Sequence, residues 1–264
     1  MRSRKRFGQH FLEAAWVTKL IDAVKPSRSD TFLEIGAGRG ALTQALAPRV
    51  KRLIAVEIDR DLAAELSLDV SANVRVVEAD CLDVDLDALL TGEAAPVRVI
   101  GNLPYNISSP ILFRLLAAHD EGRLIADATL MLQREVADRI VARPGGSDYG
   151  VLAIQTALQA DVERLLTLPP GAFRPPPKVT SAVVALRFHQ ARVDVGDRRA
   201  FERLVRGMFT QRRKTLLNAL RPVTGLDAAG VRQVLEHVGV DPNRRPQTLT
   251  LEEVGRLALA LQRP

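Results

Sequence analysis

Thr31-Phe32-Leu33-Glu34-Ile35-Gly36-Ala37-Gly38-Arg39-Gly40-Ala41-Leu42-Thr43 is the stretch on which the fold turns. Thr31–Ile35 is a short, largely apolar run and reads as a strand buried on both faces, as strands of parallel sheets are. Three glycines at alternate positions follow, and Ala41–Ala47 reads as a helix. Glycine lets the backbone turn sharply and approach a ligand without a Cβ in the way. Strand, glycine turn and helix in that order make a nucleotide site at the carboxyl edge of a sheet. The spacing narrows the choice. The dinucleotide fingerprint is G-x-G-x-x-G, which seats a pyrophosphate on the helix N-terminus. Here the form is G-x-G-x-G, with an acid, Glu34, two residues ahead of the first glycine.

On either side the same alternation recurs. Arg52–Glu57, Val74–Glu78, Val97–Gly101 and Ala128–Leu132 read as further strands. Helical patterns at about Asp59–Leu68, Pro110–Ala118 and Gln133–Ala142 separate or follow them. Such alternation implies a parallel, doubly wound sheet covered by helices. After Arg143-Pro144-Gly145-Gly146 the pattern changes: Tyr149–Gln159 looks helical, while Val162–Leu168 and Ser181–Phe188 look extended. The two late strands flank a Pro-rich loop with no helix between them, which suggests an antiparallel hairpin closing a seven-stranded sheet. Beyond Asp194 only helical patterns occur, at Arg198–Ala219, Asp227–His237 and Leu251–Leu261. The expected division is a sheet domain over 1–192 and a small helical domain over 193–264.

Composition is that of a soluble globular chain, with 47% hydrophobic and 26% charged residues among 264. No apolar run is long enough to span a bilayer. The basic start MRSRKRFGQHFL lacks the apolar core of a secretory signal. One cysteine, Cys81, excludes an internal disulfide and a cysteine-based zinc site, and His10, His119, His189 and His237 show no metal-ligand spacing. A reducing, cytoplasmic setting and no metal are expected. Charge is segregated: residues 1–28 carry a net +5, residues 29–189 a net −5 and residues 190–264 a net +6. Two basic ends around a mildly acidic middle suit a polyanion gripped from both sides.

Two acids stand at successive strand ends. Glu57, in Val56-Glu57-Ile58-Asp59, can accept both hydroxyls of a ribose, and Asp80, in Glu78-Ala79-Asp80-Cys81, can accept an adenine amino group. With the G-x-G-x-G turn, this set resembles the S-adenosylmethionine site of class I methyltransferases, whose cofactor has no phosphate. Gly101-Asn102-Leu103-Pro104-Tyr105-Asn106 follows the fourth strand and resembles the Asn/Asp-Pro-Pro-Tyr signature of amino-methyltransferases. The chemistry accounts for the residue types. An adenine amino nitrogen is a poor nucleophile because its lone pair is delocalised into the ring. The Asn102 side-chain carbonyl and the Leu103 or Pro104 backbone carbonyl can each accept one N–H. They favour a more tetrahedral nitrogen whose lone pair is aimed at the methyl donor. Pro104 stiffens the turn, and Tyr105 offers a face on which the target base stacks. A base reaches such a pocket by leaving its stack. Phe173 is expected either on the opposite face of that base or as an apolar plug between sheet and loop.

Taken together these segments resemble the ribosomal small-subunit adenine dimethyltransferases, over essentially the whole chain. Arg4-Lys5-Arg6-Phe7-Gly8-Gln9-His10-Phe11-Leu12, Leu132-Gln133-Arg134-Glu135-Val136, Phe173-Arg174-Pro175-Pro176-Pro177-Lys178-Val179 and Gln211-Arg212-Arg213-Lys214-Thr215 match further blocks of that family. The resemblance implies a Rossmann-like class I methyltransferase that dimethylates two adjacent adenosines in a hairpin loop near the 3′ end of small-subunit ribosomal RNA. It implies work as a monomer on an immature small subunit, late in assembly. It also implies S-adenosylmethionine held by His10, Leu12, Gly36, Gly38, Glu57, Asp80 and Asn102. His10 departs from the pattern, where Asn is usual. Arg4, Lys5 and Arg6, with Arg212, Arg213 and Lys214, are the expected phosphate contacts. Three alternatives stay open: a large-subunit methylase of the antibiotic-resistance type, a DNA adenine methyltransferase, and an RNA-binding assembly factor without catalysis.

Overall fold

The computed structural model describes residues 10–93, 96–122 and 125–262. Seven strands form one sheet: β1 (Thr31–Ile35), β2 (Arg52–Glu57), β3 (Val74–Glu78), β4 (Val97–Asn102), β5 (Ile125–Gln133), β6 (Ala160–Leu168) and β7 (Ser181–Phe188). Their order is β3-β2-β1-β4-β5-β7-β6. β1 to β5 run parallel, and β7 enters antiparallel between β5 and the edge strand β6. The strand order reverses between β1 and β4, and there the carboxyl ends of the strands open a crevice for a ligand.

The central strands are apolar because both faces are covered: every residue of β1 is buried, as are Leu53–Glu57 of β2. The edge strand β6 is exposed at Asp161, Glu163, Arg164 and Thr167. Charged side chains on an edge discourage pairing with another chain. β4 runs one residue further than expected and so carries Asn102 on its tip. Asp59 caps the helix Arg60–Ser67, its Oδ1 accepting the Asp61 and Leu62 N–H groups at 3.1 and 3.4 Å. The elements beyond the expected set include the short helix Leu86–Leu90. The helix Ala14–Val24 buries Val17, Leu20, Ile21 and Val24, one face at helical spacing. Phe11–Leu12 pairs antiparallel with Phe173–Arg174 in a small separate ribbon.

Two compact units emerge, and their boundary differs from the expected one. The first comprises 1–137 and 161–188; the second comprises 138–160 and 189–264. Residues 138–160, expected with the sheet, belong with the helices because Ala153, Ile154 and Leu158 share an apolar cluster with Phe201, Val205, Met208, Leu220 and Leu257. The expected helix Arg198–Ala219 is two helices, Arg198–Thr210 and Leu216–Thr224. The break has a tertiary cause. Leu216 N–H donates to the Arg244 carbonyl at 2.7 Å and Leu217 N–H to the Pro242 carbonyl at 3.1 Å, in place of partners one turn back. Arg212-Arg213-Lys214 therefore sits on a turn between helices. Among the described residues no helix is long and apolar enough to cross a membrane.

Candidate active site

The glycine loop leaves β1 and is tied to β2, Gly36 N–H and Ala37 N–H both donating to the Val56 carbonyl at 2.8 and 3.2 Å. Gly36, Gly38 and Gly40 have φ of 75°, 58° and 79°, where a side chain is strained. Gly38 N–H donates to Glu57 Oε2 at 2.7 Å and Asp59 N–H to Glu57 Oε1 at 2.8 Å. The buried Glu57 carboxyl is thus fixed against the loop, and each oxygen keeps a second lone pair for a ligand hydroxyl. Asp80 Oδ1 accepts the Leu82 N–H at 2.8 Å. Arg114, on the helix Ser108–Gly122, holds the same loop by donating to the Leu82 and Val84 carbonyls.

Glu34 is 1% exposed, and the Thr43 hydroxyl donates to its Oε2 at 2.7 Å. Burial pushes its carboxyl up to about 8; the Thr43 bond opposes that rise and the nearby Glu57 charge adds to it. Burial likewise pushes the Cys81 thiol up to about 11, so it stays a protonated, unreactive wall group at neutral pH.

At the tip of β4, Asn102 Nδ2 donates to the His10 carbonyl at 2.9 Å. One of the two amide N–H groups is thereby engaged, which fixes the amide's orientation and leaves Oδ1 available as an acceptor. Leu103 N–H donates to the Met131 carbonyl at 3.2 Å, and Ile107 N–H to the Pro104 carbonyl at 3.1 Å. Of the two backbone carbonyls considered from sequence, Pro104 is thus engaged in its own turn, which favours Leu103 as the second acceptor. The Tyr105 hydroxyl and the Ser181 hydroxyl lie 2.7 Å apart, and burial raises the phenol above its ordinary range. The His10 ring stacks on Tyr105 at 5.8 Å between centroids, and its Nδ1 donates to the Pro175 carbonyl at 2.8 Å.

These groups converge on one cavity of about 290 Å³, lined by His10, Phe11, Leu12, Gly36, Gly38, Arg39, Glu57, Ile58, Asp80, Asn102, Leu103, Pro104 and Tyr105 among others. The wall holds three carboxyl groups, Glu34, Glu57 and Asp80, against one arginine, Arg39. Glu34 keeps its proton at neutral pH and adds no charge, but a wall with acidic side chains and one arginine still suits hydroxyl, amino and sulfonium groups better than a pyrophosphate. The lining therefore fits the cofactor that the sequence implies.

Phe173 is the exception. Its side chain is fully buried in an apolar cluster with Leu12, Val17, Met131, Leu168 and Val183, and it lines no part of the cavity. It plugs the ribbon and does not stack on a base. In the second unit Arg213 and Lys214 are exposed. Arg212 is half-buried, donating to the Ser147 carbonyl at 2.5 Å and to Gln247 Oε1 at 3.2 and 3.3 Å, so it anchors the turn. Arg4, Lys5 and Arg6 lie outside the described residues. Sequence reasoning passed over Phe11, Arg39, Ile58 and Ser181. Ile58 alone carried a signal, an apolar side chain between a strand-end acid, Glu57, and a helix-capping one, Asp59; it is 44% exposed and lines the cavity.

Known proteins resemble this chain over nearly its whole length. A family model described as ribosomal RNA adenine dimethylase matches residues 1–261. The chain is 45% identical to the ribosomal RNA small subunit methyltransferase A of Syntrophotalea carbinolica, over 99% of this chain and 97% of that protein. It is 43% identical to the protein of the same name from Koribacter versatilis, over 96% and 93%. Among solved structures, a dimethyladenosine transferase from Plasmodium falciparum superposes with a TM-score of 0.79 at 27% identity, covering 95% of this chain and 96% of that one. The 23S rRNA methyltransferase ErmE gives 0.68 at 27% identity, covering 96% and 100%.

Proposed function

Because this chain belongs to the ribosomal RNA adenine dimethylase family, we propose that it dimethylates the amino groups of two adjacent adenosines near the 3′ end of small-subunit ribosomal RNA. It is a class I, S-adenosylmethionine-dependent enzyme. In our reading its substrate is the immature small subunit, and it acts as a monomer. The observation that carries the reading is the fixed amide of Asn102, tied at Nδ2 to the His10 carbonyl on the wall of an acid-lined cavity.

The residues divide the work. Glu57 would accept the ribose hydroxyls of the cofactor and Asp80 its adenine amino group, and Gly36 and Gly38, without side chains, would let it approach the loop. S-adenosylmethionine supplies a methyl group on a sulfonium whose departure needs no proton. Asn102 Oδ1 and the Leu103 carbonyl accept the two N–H bonds of the target amine and hold its lone pair out of the ring plane. This is positioning and electrostatic complementarity to the transition state. Tyr105, braced at its hydroxyl by Ser181, gives the flipped base a face. The amine becomes strongly acidic only as it turns cationic and then loses its proton to water, so no general base is assigned.

The test is methyl transfer from labelled cofactor to small subunits that lack the modification, with the methylated positions mapped. Two adjacent adenosines should be labelled, and Asn102→Ala should lower transfer at least about a hundredfold, the scale of losing a transition-state acceptor, while RNA binding persists. Transfer to isolated large-subunit RNA but not to small subunits would favour the ErmE-like alternative. Unchanged turnover of Asn102→Ala would remove the mechanism.

A further inference from the structure

The segment His10–Leu12 is fastened on two sides. On one side, Phe11 and Leu12 pair with Arg174 and Phe173. The Glu13 N–H donates to the Ala172 carbonyl at 2.9 Å, and Arg174 Nε meets Glu13 Oε1 at 2.8 Å. On the other side the Phe11 ring lies against the glycine loop. A Cβ on Gly38 would sit 3.2 Å from the ring, and the Arg39 guanidinium lies over the ring, 4.4 Å from its centroid. Arg39 is exposed and, among the described residues, makes no ion pair; the Phe11 ring is its contact. One residue back, the His10 carbonyl holds the Asn102 amide. The contact on the cofactor loop is therefore one peptide unit away from the bond that sets which end of Asn102 faces the target.

The polarity of that amide matters. With Nδ2 tied to His10, Asn102 offers Oδ1 to an incoming N–H. With the tie broken, the amide is free to rotate and can present its own N–H groups to the target amine, donor against donor. Resting on the reading of Asn102 as the acceptor, we propose that Arg39 and Phe11 form a latch that keeps the His10 carbonyl in place. Arg39 is thus a positioning residue for methyl transfer, acting through Phe11 and His10. Position 39 is an unspecified "x" of the glycine motif, and the arginine there is explained by the latch.

The experiment is single-turnover methyl transfer to unmodified small subunits by the full chain, at saturating cofactor and RNA. Cofactor-site affinity is measured separately by calorimetry with S-adenosylhomocysteine. Arg39→Leu should slow transfer about two- to fivefold, the worth of an exposed cation–π contact. Arg39→Lys, which keeps a cation over the ring, should recover most of the rate. Phe11→Leu should slow transfer at least as much, and the double variant should be no slower than Phe11→Leu, because either change opens the same latch. A change in affinity alone, with the saturated rate intact, overturns the proposal, since it makes Arg39 a mere cofactor contact. Additive losses in the double variant overturn it too. A wild-type chain that transfers methyl groups while Arg39→Leu matches it sinks the latch alone. A wild-type chain that transfers none sinks the functional reading and the latch with it.

Discussion

Glu34 shows what a single residue costs when it is placed for a site. Its carboxyl is out of water and carries its proton up to about pH 8, against an ordinary value of 4.5. Between those two values the folded chain holds a proton that the unfolded chain has released. Stability therefore falls as pH rises through the window, and levels off above about 8. A tenfold change in proton affinity is worth about 1.4 kcal/mol, so the fall amounts to a few kcal/mol in all. Glu34→Gln keeps a carbonyl for the Thr43 hydroxyl and removes the titration. Urea unfolding at a series of pH values should show a steeper fall for the wild type than for Glu34→Gln between pH 5 and 8. Parallel curves would mean that the carboxyl is solvated.

At the scale of elements, β1 and β4 pack backbone against backbone beside the site. A Cβ on Gly101 would stand 2.9 Å from the Ile35 carbonyl oxygen and 2.9 Å from a Leu103 methyl. The backbone of β1 cannot yield cheaply, so Gly101→Ala should lower stability by about 1–3 kcal/mol, the usual range for overpacking. It should also displace Asn102, next along the strand. Gly171→Ala, which meets nothing within 4 Å, is the control. Thermal melts and methyl transfer on both variants test this; equal behaviour would show that the strand tip relaxes freely. These elements were legible in the sequence because buried parallel strands are apolar throughout and glycine loops announce themselves by spacing. What could not be read depends on partners far along the chain. The Phe11–Leu12 ribbon is two residues long and its mate is Phe173–Arg174, too short for periodicity to register. The split after Thr210 is imposed by carbonyls of Pro242 and Arg244, while helix propensity runs straight through it. Phe173 was ambiguous because a large aromatic beside prolines serves packing and stacking equally well, and burial decided it.

For the whole molecule, the segregated charge predicts a strong salt dependence of RNA binding, and the structure divides its basic residues into two kinds. Arg213 and Lys214 are exposed on their turn, whereas Arg212 is engaged with the Ser147 carbonyl and Gln247. Arg213→Ala and Lys214→Ala should each weaken RNA binding and reduce the slope of log affinity against log salt by up to about one, with the melting temperature unchanged. Arg212→Ala should instead lower the melting temperature. Fluorescence anisotropy across a salt series, beside a thermal melt, separates the two kinds. A loss of salt slope in Arg212→Ala with no loss of stability would contradict the division. The two compact units carry a further consequence. The chain passes between them at 137/138, 160/161 and 188/189, and Ile154 and Leu158 supply part of the core around Phe201 and Met208. The helical unit is therefore no cassette. A swap that transplants only the stretch after residue 188 leaves those two side chains behind in the parent. Exchanging the helical unit intact means moving two separated pieces of gene at once.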